Sequence, residues 1–162
     1  VYAAAVIIDK NHIIDGIDDS KKLSEKRRTH LYHEIIKYYQ YGIGIASVEE
    51  IDALNILEAT KLACERAVNN LPVKPDIILV DGNMKFPDEN YKSIIKGDSI
   101  SLSIAAASIV AKVSRDDLIS ELARAFPHYG WEKNKGYGTK AHIAAIKELG
   151  LTIHHRKTFM IR

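Results

Sequence analysis

The sequence predicts a single α/β domain built in layers, and three observations carry that reading. Residues 1–8 form an apolar run rich in β-branched side chains, the composition of a strand. Further along, short apolar runs alternate with segments of helical periodicity that carry cap signals. The chain has 162 residues, 46% hydrophobic and 27% charged, enough to bury a sizeable core without a disulfide or structural metal. No internal repeat or low-complexity linker divides it, so residues 1–162 read as one domain.

The elements follow in order. After the strand at 1–8, a turn at 9–11 lets residues 12–17 return as its hairpin partner. Residues 18–24 are polar and basic, and Ser24 is an N-cap for an amphipathic helix over 25–39, with Leu31 and Ile35 on its apolar face. Residues 41–46 form a short strand. Ser47 and Glu50 have capping-box spacing and open a long helix to about Asn70. Ala59, Ala63 and Ala67 share one face of it, which lets the helix lie close against a sheet. Pro72 and Pro75 break the chain, and residues 76–80 make a compact strand running into Asp81-Gly82-Asn83. Residues 84–91 are loop, and 91–95 a short strand before Lys96-Gly97-Asp98. A long helix spans 103–125 and stops at Pro127. A Gly- and Lys-rich loop covers 128–138, Thr139 caps a last helix, and Gly150 ends it. The tail, 152–159, is basic and aromatic.

Bulk chemistry sets bounds on function. Net charge is +2, from 23 basic and 21 acidic residues, so only local clustering could argue for nucleic acid. The lone Cys64, among Ala63, Ala67 and Val68, reads as a small core residue, and an intramolecular disulfide is impossible. No apolar run approaches the length of a membrane span, and neither a signal peptide nor an initiating Met is present. Nucleotide-binding glycine motifs are absent, and cysteine-based zinc sites are excluded.

The candidate chemistry lies in carboxylates. Asp81 ends a strand, and in layered α/β sheets ligands gather at strand carboxyl ends. Asp-Gly is also a common turn pair, so spacing alone leaves both readings open. Asp98, shortly before a helix, is equally a turn residue if it stands alone. Together the two could hold Mg²⁺ or Mn²⁺, hard ions that favour carboxylate oxygens. Asp116 and Asp117 lie on the long helix and read more simply as a solvated face. Basic clusters surround these positions: Lys21, Lys22, Lys26, Arg27 and Arg28; Lys133, Lys135 and Lys140 around Tyr129, Trp131 and Tyr137; and His154, His155, Arg156 and Lys157 before Phe159. Lysine interleaved with aromatics suits phosphate neutralisation and base or sugar stacking.

Several of these segments, in order along nearly the whole chain, resemble the ribonuclease HII family. They are Asp19-Ser20-Lys21-Lys22-Leu23-Ser24, Glu50-Ile51-Asp52 with Asn55-Ile56-Leu57, Val80-Asp81-Gly82-Asn83, and Lys96-Gly97-Asp98. They continue with Ala105-Ala106-Ala107-Ser108 to Arg115-Asp116, Lys135-Gly136-Tyr137-Gly138-Thr139 with His142, and His155-Arg156 with Phe159. The resemblance implies a ribonuclease-H-like mixed sheet flanked by helices, with a C-terminal helical extension. It implies an endonuclease that hydrolyses the RNA strand of RNA–DNA hybrids, including at single ribonucleotides embedded in DNA, and leaves 5′-phosphate ends. It implies a four-carboxylate site for Mg²⁺ or Mn²⁺, of which Asp81 and Asp98 are two. Lys21 and Lys22 match a basic segment near substrate phosphates, and Tyr137 matches a tyrosine that packs against the ribonucleotide sugar. A cytoplasmic monomer is expected.

Family members open with a strand ending in Asp-Glu-Ala-Gly-Arg-Gly, central in the sheet and soon followed by a run like residues 1–6. This sequence starts at that run. The expectation is a chain without its first central strand and first two catalytic carboxylates, one that folds poorly and cleaves nothing alone, while the complete protein is active. The rival readings are a non-catalytic hybrid-binding module, a small-molecule phosphohydrolase and a purely structural domain.

Overall fold

The computed structural model describes residues 1–159. Four strands and six helices follow one another: β1 (Tyr2–Ile7), α1 (Glu25–Tyr38), β2 (Gln40–Ile45), α2 (Val48–Leu54), α3 (Ile56–Asn69), β3 (Ile78–Asp81), β4 (Tyr91–Ile94), α4 (Leu102–Ala125), α5 (Trp131–Asn134) and α6 (Lys140–Leu149). The α/β class read from sequence is the one found. The strands form two ladders. β1 and β2 are antiparallel, from Tyr2 opposite Ile45 to Ile7 opposite Gln40, and β3 and β4 are parallel, from Ile78 beside Tyr91 to Asp81 beside Ile94.

Two local expectations are corrected. Residues 12–17 do not return as a strand; β1 takes β2 as its partner. Ile14 is instead drawn into the core beside Leu31, Ile35 and Tyr39, and the Tyr39 hydroxyl donates to the His12 carbonyl at 3.0 Å, which holds the segment as a packed loop. The long helix after Ser47 is two helices. Asn55 breaks it with φ of 76°, a left-handed value that asparagine tolerates, and its side chain accepts from the Leu57 and Glu58 amides to cap α3. The capping box itself is present: Ser47 accepts from the Glu50 amide and Glu50 accepts from the Ser47 amide.

Close packing of α3 on β2 rests on the smallest residues. Ala59, Ala63 and Ala67 are buried on one face of α3. Gly42 and Gly44 of β2 sit directly beneath, so that a Cβ on either would collide with a backbone carbonyl, of Ala67 and Ala63 respectively. Glu50 reinforces this layer by a two-pronged ion pair with Arg66 of α3, at 2.6 and 2.8 Å. The other face of β1 packs on α4, where Ala106, Ile109, Val110 and Val113 meet α1 in the main core. A smaller aromatic core, Ala123, Tyr129 and Trp131, forms under α5 and α6, the expected C-terminal helical extension.

Between the ladders runs an apolar slot of about 1050 Å³. Consecutive residues of β1, from Tyr2 to Ile8, and of the β3 segment, from Ile77 to Asp81, line it. Consecutive lining residues mark strand edges, since a strand face would contribute every second residue. Ile104, Ala107 and Ala111 of α4 form one wall, and Thr60, Cys64 and Val68 of α3 another. Burial pushes the Cys64 thiol up to about 11, and the side chain, half-buried, lines the slot and not the closed core expected from its neighbours. Among the described residues, no helix is long and apolar enough to cross a membrane.

Two consequences are testable. Gly44→Ala forces α3 off β2 against backbone, which cannot rotate away, and should cost about 3 kcal/mol or more in urea unfolding. Arg66, through its hydrogen bonds and charge, with the Ser47 amide, holds the Glu50 carboxyl down at about 2, from an ordinary 4.5. As pH falls below 4.5 the unfolded chain takes up this proton first, so stability drops toward pH 2. Glu50→Gln should flatten that part of the urea-midpoint profile against pH.

Candidate functional site

The strand β3 delivers Asp81 to the end of its ladder, and Gly82 follows with φ of 92° and open space where a Cβ would stand. The backbone therefore turns sharply away and leaves the Asp81 carboxylate exposed at the rim. Beyond β4, Lys96 adopts a left-handed conformation (φ 56°) and starts a single 3-10 turn, Gly97–Ser99. That turn swings back under β3. The buried Gly97 amide donates to Asp81 Oδ1 at 2.8 Å, and a Cβ on Gly97 would lie 2.6 Å from Ile104 Cδ1 and 3.5 Å from Asp81 Cα. Glycine here lets the turn fit between the strand end and α4, which puts Asp98, half-buried, on the segment that Asp81 holds.

The basic loop reaches the same place. Lys22 Nζ lies 3.4 Å from Ser99 Oγ, one residue past Asp98, and 3.3 Å from Asp18. The loop is moored by buried Ser20, whose amide donates to Ser108 Oγ on α4 and whose carbonyl accepts from Arg28 Nη1 at 2.7 Å. Arg27 is engaged likewise, donating to the Asp15 carbonyl at 2.8 Å. Lys21 and Lys22 stay exposed. Of the residues singled out in the sequence, the structure thus brings together Asp81, Asp98 and Lys22.

Tyr137 stands apart. The residue is 62% exposed, and its ring lies 5.5 Å from the guanidinium of Arg115, on α4. Arg115 is eleven residues beyond Ile104, the residue against Gly97, so the two anchor points are separated by about 16 Å along the helix axis. Arg115 was legible only as part of its Arg-Asp motif. Its Nη1 is buried and 3.7 Å from Asp116, too far for a hydrogen bond. Asp116 pairs with Lys112 at 2.8 Å, one turn earlier, and is half-buried by that pair instead of fully solvated.

Two aromatic candidates are corrected. Tyr129 and Trp131 are buried in the C-terminal core, stacked on each other at 5.3 Å, and offer no face to a base. His155 is buried with them. In the tail, Asp52 of α2 accepts from the Lys157 and Thr158 amides and the Thr158 hydroxyl, and Arg156 lies 3.5 Å over the Phe159 ring. These bonds hold the Asp52 carboxyl below its usual range.

A model of the ribonuclease HII family matches residues 1–162. The chain belongs to the ribonuclease HII family. It is 60% identical over 159 residues to ribonuclease HII of Rickettsia bellii, covering 98% of this chain and 81% of that protein. Against the Rickettsia akari enzyme the identity is 58%, over 98% and 82% of the two chains. Among solved structures, ribonuclease H2 of Pyrococcus horikoshii superposes with a TM-score of 0.74 at 25% identity, covering 98% of this chain and 94% of that one. The PCNA:RNase HII complex of Archaeoglobus fulgidus gives 0.70 at 27% identity, over 91% and 80%. A Bst-RNase HIII in complex with Mn²⁺ shares the fold, with a TM-score of 0.68 at 19% identity over 92% of this chain and 57% of that one. The ribonuclease-H-like fold and the RNA–DNA hybrid endoribonuclease class expected from the motifs are therefore those of this chain's family.

The Asp81–Gly97 bond yields a direct test. Asp81→Ala should speed exchange of the Gly97 amide about tenfold or more, since it strips a buried donor of a charged acceptor. Asp81→Asn keeps an oxygen in place and should preserve most of the protection.

Proposed function

We propose that the rim formed by Asp81 and Asp98 is half of a divalent-metal centre that hydrolyses RNA in RNA–DNA hybrids and also cuts at single ribonucleotides embedded in DNA. The observation that carries the reading is the bond from the Asp98-bearing turn to Asp81, with Lys22 beside that turn. Carboxylate oxygens suit Mg²⁺ or Mn²⁺ in kind. In number they fall short: among the described residues no group of three or more His, Cys, Asp or Glu converges. Asp81 and Asp98 would be the ligands this chain contributes. When bound, such ions supply positive charge at the phosphodiester and a more acidic water.

The chain's own residues then have distinct tasks. Lys22, and Lys21 next to it, neutralise phosphates along the RNA strand and set the register of the duplex. The exposed Tyr137 ring, backed by Arg115, packs against a sugar, and the 2′-hydroxyl marks the strand as RNA. Hydrolysis breaks the P–O3′ bond and leaves a 3′-hydroxyl and a 5′-phosphate. The remaining carboxylates arrive on an extended strand seated in the slot between β1 and β3, a reading supported by two facing strand edges and apolar walls. The R. bellii relative is longer than the matched region, which is 81% of it. On this reading the described chain alone is inactive.

The shortfall in carboxylates favours one second reading, a hybrid-binding module without catalysis. A cleavage assay separates them, using a duplex with one ribonucleotide, Mg²⁺ or Mn²⁺, and this chain with and without an N-terminal strand bearing Asp-Glu-Ala-Gly-Arg-Gly. Cleavage only with the strand, abolished by Asp81→Asn or Asp98→Asn, supports the enzyme. A folded, strand-bearing protein that binds hybrid and never cuts supports the module. Lys22→Ala should weaken hybrid binding across sequences and lower the slope of log K against log salt by about one.

A further inference from the structure

Beneath the Tyr137 loop, two buried histidines from different segments meet: His142 of α6 and His155 of the tail, 5% and 8% exposed, with their Nε2 atoms 3.1 Å apart. The partners around them fix every proton. Trp131 Nε1 can only donate, and it lies 3.0 Å from His142 Nε2, so that nitrogen is bare and accepts. The proton of His142 is therefore on Nδ1, which is 2.9 Å from the Tyr137 carbonyl, a group that can only accept. His155 must then present its Nε2–H to His142 Nε2, whose single lone pair it shares with the Trp131 N–H. Its Nδ1 is left bare, and there the Thr152 amide donates at 3.0 Å, with the Thr152 hydroxyl at 2.9 Å.

We propose that this one-way relay, Thr152 to His155 to His142 to the Tyr137 carbonyl, makes His142 and His155 positioning residues that set where the Tyr137 ring meets nucleic acid. The proposal rests on the substrate-packing role given to Tyr137 above. The carbonyl that His142 holds also accepts from the Thr139 amide at 2.8 Å, while Thr139 Oγ1 caps the helix that carries His142. Loop and helix start are thus locked to one another; the Trp131 N–H fixes the His142 tautomer that makes the lock, and the tail residue His155 sets its own N–H against the same Nε2 and so holds the imidazole in place.

The relay requires both imidazoles neutral. A proton on His142 Nε2 would face the Trp131 N–H, and one on His155 Nδ1 would face the Thr152 amide. His155 looks out on His142 from α6, His154 from the tail, the Tyr129 phenol and the Trp131 ring, and among the described residues no carboxylate pairs with either histidine. Burial first, then the neighbouring His142 and His154, lower the His155 value below the ordinary 6.5. The unfolded chain therefore binds this proton first as pH falls. The contribution to stability is complete above 6.5 and is lost as pH falls from there through the lowered value.

Nitrogen NMR of the whole chain at pH 8 reads the tautomers directly. Protonated Nδ1 on His142 and protonated Nε2 on His155 are expected; either one reversed overturns the relay. Next, exchange of the Thr139 amide, corrected for its intrinsic rate, should become about five- to tenfold faster between pH 8 and pH 5. His155→Gln, which keeps a donor at the Nε2 position and cannot titrate, should hold the pH 8 value throughout, whereas His155→Leu should show fast exchange at both. Equal pH dependence in wild type and His155→Gln would overturn the proposal. Tyr137→Leu with unchanged hybrid affinity would instead refute the role given to the ring, and leaves the tautomer result standing.

Discussion

Both strand ladders rest on α4, and the placement of every candidate residue depends on that shared support. The helix is 24 residues long, about 36 Å, and its buried positions run from Ile104 to Val113 before resuming at Ala123. Its first turns carry small residues: Ala106 is buried in the core shared with β1, Ala107 lines the slot, and Ile104 is the residue against Gly97. The carboxylate rim is fixed at this end. Eleven residues on, Arg115 backs Tyr137, and beyond that the helix enters the aromatic core. A straight rod fixes these distances more firmly than a chain of loops could.

Much of this was legible because period and cap chemistry are local. Ser24, Ser47 and Thr139 announce helices that form where they stand, each accepting from an amide in the first turn. Asp81 was readable as a strand-end carboxylate, and β3 does end on it. What sequence could not supply was partner choice. The turn at 9–11 and the isoleucines of 12–17 suggest a returning strand, yet Ile14 gains more by burial beside Leu31 and Ile35 than a hairpin edge would offer. Asn55 passed for an ordinary helix residue because a left-handed break needs no glycine when the side chain can cap the next helix. Tyr129 and Trp131 looked like stacking surfaces because a motif states identity and not exposure; only Tyr137 of the three is open.

The basic residues show the same division. A cluster of charges in sequence implies a cationic surface, but a guanidinium is also the best side chain for tying down loose carbonyls. Arg27 and Arg28 hold the carbonyls of Asp15 and Ser20, and Arg66 holds that of Ile45 while pairing with Glu50. Arg27 and Arg28 build the loop from which Lys21 and Lys22 project. Lys21 and Lys22 are exposed, and the long surface contacts of Lys22 to Asp18 and Ser99 yield readily to a phosphate, whereas the arginines would have to abandon shorter bonds the fold already uses.

The slot between β1 and β3 brings these threads together. In a continuous sheet each interior strand is paired along both edges, and an open edge is a site for another strand. Here two such edges face each other across an apolar channel, with α3 and α4 already in position on either side. The small residues that pull α3 onto β2, and α4 onto β1, set the width of that channel before anything enters it. A strand seated there, as proposed above, would find side-chain walls and open strand edges already formed. The fold keeps Asp81 at the end of a paired strand and Asp98 on the turn bonded to it, so both rim carboxylates are held by contacts within the chain that border the slot and do not cross it.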